Sequence, residues 1–219
     1  MRFSPGRAGN KEAAMAFWNR KETISTLDDV LNSSWRILHK GVRNFRHPFY
    51  RPALTTMEGN SPAVRTVILR GFSEKDRTLI CHCDARSPKV SQIRENPNVS
   101  WLFYHPQRWL QLRFSGKASI HMDGGTAESQ WAKVRPASRI NYCAGSPPGS
   151  PVDKPTSGLP VNLREKASKY LDHSEARNNF AAIVCRFDRM DWLLLKLTGH
   201  TRAKFRWEAN RMNASWVIP

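Results

Sequence analysis

Residues 78–104 read TLICHCDARSPKVSQIRENPNVSWLFY. Thr78–Cys83 and Val99–Tyr104 are short runs of strand-type composition. Between them lies a helix with marked ends. Ser87 stands at the cap position, Pro88 suits the first helical position, and Val90 and Ile93 face inward before Asn96-Pro97 ends it. Similar strand-type runs recur on both sides. Ala53–Met57, Ala63–Gly71 and Trp109–His121 are separated by Glu58-Gly59-Asn60, Ser73–Asp76, His105-Pro106 and Asp123-Gly124-Gly125. Asn179–Phe187, Trp192–Leu197, Arg202–Trp207 and Ser215–Ile218 read as closing strands.

Helices flank this pattern. Thr26 and Asp29 form a capping-box signature, and Leu27, Val30, Leu31, Trp35, Leu38 and Val42 recur at three- and four-residue steps until His47-Pro48. Thr126–Val134 is expected to be helical. Ala144–Pro160 holds five prolines and three glycines, which marks a long, stiffened loop. Many short antiparallel strands with two or three helices define an α+β, mainly β, barrel-like domain over residues 23–219, preceded by a loose extension at 1–22.

Composition narrows the function classes. Of 219 residues, 40% are hydrophobic and 24% charged, enough for a buried core. The net charge of +17 is spread evenly, +9 in residues 1–110 and +8 in 111–219, so no basic tail is appended to a neutral body. That charge favours non-specific phosphate contacts, yet no nucleic-acid motif accompanies it, and nucleic acid is not the expected partner. The longest apolar run, Phe180 to Cys185, is far short of the roughly 20 residues that span a bilayer. A soluble, cytoplasmic chain is expected, with Cys81, Cys83, Cys143 and Cys185 reduced. In Cys81-His82-Cys83, strand alternation sends His82 to the face opposite both thiols, so no metal site is assigned.

The segment Asp84-Ala85-Arg86-Ser87-Pro88-Lys89 is the sharpest chemical feature. The first turn of a helix presents unpaired N–H groups, and Arg86, Ser87 and Lys89 add donors suited to a phosphate dianion. As a cap with solvated cations, the same segment needs no ligand. Arg65–Arg70 reads as one strand, with Arg65 and Leu69 on one face and Thr66, Ile68 and Arg70 on the other. No dinucleotide fingerprint, Walker loop or nucleophile elbow is present.

An ordered series then emerges: RTVILR at 65–70, RSPK at 86–89, NP at 96–97, LFY at 102–104, Gln111 with SGKA at 115–118, RPAS at 135–138, DWL at 191–193 and GHTRAKFRW at 199–207. It resembles the pyridoxamine 5′-phosphate oxidase-related, FMN-binding split-barrel family, over roughly residues 50–219. The resemblance implies a six-stranded antiparallel split β-barrel with flanking helices, forming a homodimer with FMN at the subunit interface. Carried over by position, Arg65, Thr66 and Val67 line the flavin, Arg86, Ser87 and Lys89 hold its phosphate, and Gln111 reaches the ring. Trp192 and a basic residue near Arg202 or Lys204 come from the second subunit. Arg70, Trp131, Arg135, Ser138, His200 and Arg202 correspond to substrate-phosphate residues of the vitamin enzyme.

Some positions depart from that enzyme. Arg70 replaces a lysine, Trp131 a tyrosine, and Pro88 a residue usually basic. The expectation is an FMN-dependent oxidoreductase acting on a small anionic molecule. The alternative is a non-catalytic flavin, deazaflavin or haem binder on the same barrel, with His121, His173 or His200 as a possible ligand.

Overall fold

The computed structural model describes residues 24–160, 174–209 and 211–219. The extension expected at 1–22 and His173 lie outside them.

Helix α1 (Leu27–Arg43) starts as the sequence dictates. The Thr26 hydroxyl accepts from the Asp29 N–H at 3.1 Å, and the Asp29 carboxylate accepts from the Thr26 N–H at 2.9 Å. Its apolar face brings Trp35 against Phe72, Phe114, Phe187 and Trp207, with ring centroids 5.4 to 6.4 Å apart. After a 3₁₀ turn at Pro48–Tyr50 the chain enters β1 (Ala53–Glu58), β2 (Ser61–Thr66), β3 (Gly71–Ser73) and β4 (Thr78–Asp84). Helix α2 (Pro88–Glu95) leads to β5 (Asn98–His105) and β6 (Leu110–His121). Short helices α3 (Gly124–Ala132), α4 (Pro136–Arg139) and α5 (Ser174–Asn178) precede β7 (Phe180–Leu194), β8 (Thr201–Glu208) and β9 (Arg211–Val217).

The strands form one antiparallel sheet in the order β2-β1-β5-β6-β7-β4-β3, with β8 on β7 and β9 on β8. The class is as expected, with nine strands among the described residues in place of six. The barrel closes through Val67–Arg70, which was expected to continue a single strand across 63–71. Instead β2 stops at Thr66. The Val67 and Leu69 N–H groups donate to Pro52 O and Tyr50 O, and the Arg70 N–H donates to Ile80 O on β4. The segment thus passes from one edge of the sheet to the other, which is why its burial still alternates although its partners change.

The split occurs at β7, read from sequence as two strands, 179–187 and 192–197. It is continuous. Residues 180–186 pair with β4 and residues 189–194 with β8, while β6 runs along nearly its whole length. A bulge at Ser115/Gly116 absorbs the change in twist. Gly116 is required there, because a Cβ would lie 2.2 Å from the Arg186 carbonyl oxygen. Trp101, Phe103, Phe114, Phe187, Trp192 and Phe205 fill the interior. Among the described residues, no helix is long and apolar enough to cross a membrane.

Candidate functional site

The turn from β4 into α2 orients the residues singled out around Arg86. Ser87 is 3% exposed, but its hydroxyl makes no capping bond to the helix; it accepts from Lys89 Nζ at 2.9 Å. Arg86 is committed elsewhere. Its Nε and Nη2 donate to the two Asp84 carboxylate oxygens at 3.0 and 2.8 Å, and Nη2 also donates to Ala144 O at 2.8 Å. The Arg86 backbone N–H closes on the same Asp84 carboxylate at 2.8 Å. Arg86, expected to hold a phosphate, here pairs with Asp84. A bidentate carboxylate already occupies the fork of the guanidinium.

Arg65 sits on β2 and reaches toward α2. Nη1 donates to Thr56 Oγ1 at 2.5 Å, and Nη2 to Gln92 Oε1 at 3.1 Å, while Thr56 donates to the same Gln92 oxygen at 2.6 Å. Burial disfavours the Arg65 cation, lowering its affinity for the proton, yet a guanidinium stays charged in proteins. Gln92, which Arg65 reaches, lies three residues after Lys89 on α2, one turn along the same helix. Burial pushes Cys81 well above its usual range, Cys83 to about 11 and Cys185 to about 12. These thiols stay protonated and are not nucleophiles. None of the four cysteines is in a disulfide. Thr56 and Gln92 are not singled out by the sequence, and Asp84 stands in the segment 84–89 without a role assigned to it; their roles depend on contacts across strands and a turn.

A second cluster surrounds Arg70. Its Nη1 donates to the Tyr50 hydroxyl at 3.2 Å, and its charge acts on His82 and Tyr142. Trp131, Tyr142 and Phe180 pack ring to ring at 5.2 to 5.8 Å, with the Arg139 guanidinium 4.7 Å over the Trp131 ring. His82 points away from the two thiols to Gln130 and Phe180, and desolvation lowers it to about 4. Arg135 and Ser138 start α4, and the Ser138 N–H donates to Arg135 O at 2.8 Å.

The third group lies on the outer face of β5–β9. Cross-strand register aligns Tyr104, Gln111, Leu193 and Arg202 in one row, and Leu102, Arg113, Asp191 and Lys204 in the next. A groove of about 750 Å³ runs over this face, lined by Arg113, Arg189, Asp191, Lys204 and Arg206. Burial alone would raise Asp191, but hydrogen bonds from Arg202 and Arg113 outweigh it and hold the carboxyl below its usual range. Lys204 is exposed. His200 stands in the turn before β8 and accepts from the Lys196 N–H at 3.2 Å. Trp192 faces the other way. It is 2% exposed, inside this chain's own core, with its ring 6.2 Å from Trp216. Trp192 is expected to reach the flavin from the second subunit; in this chain neighbours on β7 alternate, and Asp191 and Leu193 take the outer side. His121 shares a hydrogen bond with Ser119 Oγ at 2.8 Å.

A nine-stranded antiparallel barrel split at β7, with a helix start flanked by Arg65 and Lys89, defines a split-barrel protein whose donors suit a phosphate-bearing cofactor. Residues 32–122 match the family described as pyridoxamine 5′-phosphate oxidase, FMN-binding domain. That segment is thus similar to an FMN-binding domain of the pyridoxamine 5′-phosphate oxidase family. Pyridoxine/pyridoxamine 5′-phosphate oxidase 2 of Arabidopsis thaliana is 27% identical over 68% of this chain and 75% of that protein. The Crocosphaera subtropica oxidase is 35% identical over 44% of this chain, and the match spans only 38% of that protein's length. Among solved structures, an FMN-binding protein related to pyridoxamine 5′-phosphate oxidase from Nostoc punctiforme superposes with a TM-score of 0.66 at 21% identity, covering 86% of this chain and 96% of that one. PhzG from Burkholderia lata, in complex with tetrahydrophenazine-1-carboxylic acid, gives 0.67 at 17% identity, covering 90% and 95%. At these identities the structural likeness speaks for the fold.

Proposed function

We propose that residues 23–219 form one domain of an FMN-dependent oxidoreductase that acts on a small anionic molecule, as a cytoplasmic homodimer. The observation that carries this reading is Arg65, fixed by Thr56 and Gln92 one turn along α2 from Lys89. Two cations near a helix N-terminus fit a phosphate. Ser87 assists by holding Lys89, and Thr66 and Val67 border the same position as β2 ends. When bound, FMN accepts two electrons and a proton equivalent at its ring, so the chain's own residues need only bind, orient and neutralise. Gln111 supplies an amide donor and acceptor to the ring edge from the outer face of β6. Arg202 and Lys204 add positive charge on that face, where reduction makes the flavin more negative.

Arg70, Trp131, Arg135 and Ser138, with His200 from the turn before β8, are the proposed substrate residues, with cations for an anionic group and the Trp131 ring for a flat one. PhzG binds an aromatic carboxylic acid, and the oxidases carry phosphorylated pyridines in their names; both are small anions. Burial keeps His47, His82 and His105 below their usual range, which disfavours a proton-shuttling role for these three. The absorption spectrum of the purified protein tests the reading. Flavin bands that bleach when small anionic reductants are added without air support it. A Soret band, or a flavin that no candidate substrate reduces, counts against it.

A further inference from the structure

The residues after α4 form a loop with very few buried side chains between Gly145 and Gly158. Such a segment has little of its own to hold it in place. Its two ends nevertheless meet, the Gly145 N–H donating to Gly158 O at 3.2 Å, and prolines at 147, 148, 151 and 155 limit its unfolded freedom. The closed loop lies over the start of α2: a Cβ on Gly149 would be 4.0 Å from the Pro88 ring. The side chain tying it there is Arg86, which donates to Ala144 O at 2.8 Å and Gly145 O at 3.4 Å. Asp84, 7% exposed, fixes Arg86 from below through both carboxylate oxygens. The base is further anchored by Ala85 N–H to Asn179 O and by Asn179 Nδ2 to Tyr142 O.

We propose that Arg86 and Asp84 are the latch of a strap, residues 144–158, that closes over the start of α2 and slows escape of the phosphate end of FMN. This rests on placing that phosphate beside Lys89 and Arg65. Arg86 is then a positioning residue, acting through the strap and not by touching the cofactor. A cation facing a helix start opposes the helix dipole, so Asp84 also neutralises a charge that would otherwise disfavour the turn.

Two readouts test the latch. The first is cleavage of the strap by a dilute protease in the cofactor-free protein. The second is the rate at which FMN leaves the loaded protein on dilution. Losing the charge-assisted contacts to the strap should raise the open fraction about ten- to a hundred-fold. Arg86→Ala should therefore speed cleavage within 144–158 by that factor, and FMN release should quicken with it. Arg86→Lys, which keeps the charge but cannot bridge both Asp84 oxygens and Ala144 O, should act in the same direction and guards against a fold lost in the alanine variant. Unchanged cleavage in both variants would overturn the latch. Faster cleavage with unchanged FMN release would overturn the strap's hold on the cofactor. Lys89→Ala separates this from the underlying placement: if it keeps full FMN affinity, the phosphate lies elsewhere, while the cleavage result on Arg86 still stands or falls by itself.

Discussion

Asp191 on β7 accepts two hydrogen bonds from Arg202 on β8, at 3.0 and 2.7 Å, although its direct cross-strand partner is Lys204. Arg113 on β6 closes on the same carboxylate at 2.6 Å. One carboxylate therefore keeps two arginines apart on a strongly basic face. Asp191→Asn should cost about 1 kcal/mol, because the Arg113 side chain is 48% exposed and solvent screens much of its share. The loss should shrink as salt screens the freed Arg113–Arg202 repulsion. Urea unfolding at low and high ionic strength measures both, and a loss that grows with salt contradicts the arrangement.

Stability should fall in mild acid. His105 is 2% exposed, neither ring nitrogen has a hydrogen-bond partner among the described residues, and its ring lies 5.4 Å from that of His47. Desolvation, with the neighbouring His47 and Arg108, lowers His105 to about 4, and burial does the same to His82. Both are neutral in the folded protein where the unfolded chain already protonates them near 6.5. The unfolded state binds more protons in that window, so their contribution is complete above about pH 6.5 and is lost as pH falls toward 4. Each adds a slope of up to about 1.4 kcal/mol per pH unit. His105→Leu should flatten the profile by one proton; an unchanged slope would show that His105 titrates normally.

Part of this molecule is written openly in its sequence. The ends of α1 and α2 follow from Thr26, Asp29, Pro88 and Asn96-Pro97, and β1, β4, β5 and β6 from alternation. Other features are not. The end of β2 at Thr66 is silent because the side-chain pattern from Arg65 to Leu69 continues while the backbone changes partners. The continuity of β7 is masked by the polar run Asp188-Arg189, which lies on the solvent side next to the bulge. Arg86 illustrates the harder case. Its residue type and place at a helix start suit a phosphate, and only the turn geometry shows that Asp84 has captured it.

Gly116→Ala should damage the barrel more than its single methyl suggests. The added carbon would meet the backbone of Arg186 and Phe187, at 2.2 and 2.5 Å, and backbone does not swing aside as a side chain can. Overpacking of this kind costs about 1–3 kcal/mol or more. The shift would pass along β7, so a lowered melting temperature should come with weaker FMN retention. An alanine variant as stable as the parent would mean that the bulge relaxes freely.

Gln92 links Arg65 and Thr56 to α2, and Gln92→Leu keeps its bulk while removing the shared acceptor. Two donors are then left short, at about 1–3 kcal/mol for the group that stays buried. Arg65 would lose its tether to the helix, so FMN affinity should drop while riboflavin affinity changes less. Equal losses for both ligands in a cooperatively folded variant would assign Gln92 to the barrel alone.

The phosphate itself is best tested at Lys89, since Arg86 is occupied by Asp84. Lys89 Nζ rests on the Ser87 hydroxyl at 2.9 Å, a contact with a neutral group that a dianion would readily supersede. Lys89→Ala should weaken FMN by about 1.5–3 kcal/mol, roughly ten- to a hundred-fold. Riboflavin lacks the phosphate and should bind parent and variant nearly equally. The fold should survive, because a cation in the first turn of α2 opposes the helix dipole and contributes nothing to helix stability. Arg65→Ala should differ in one respect: it also strips Thr56 and Gln92 of their partner, so it should lose stability as well as FMN. The two variants together separate phosphate recognition from packing. If Lys89→Ala binds FMN as tightly as the parent, the phosphate does not sit at the start of α2.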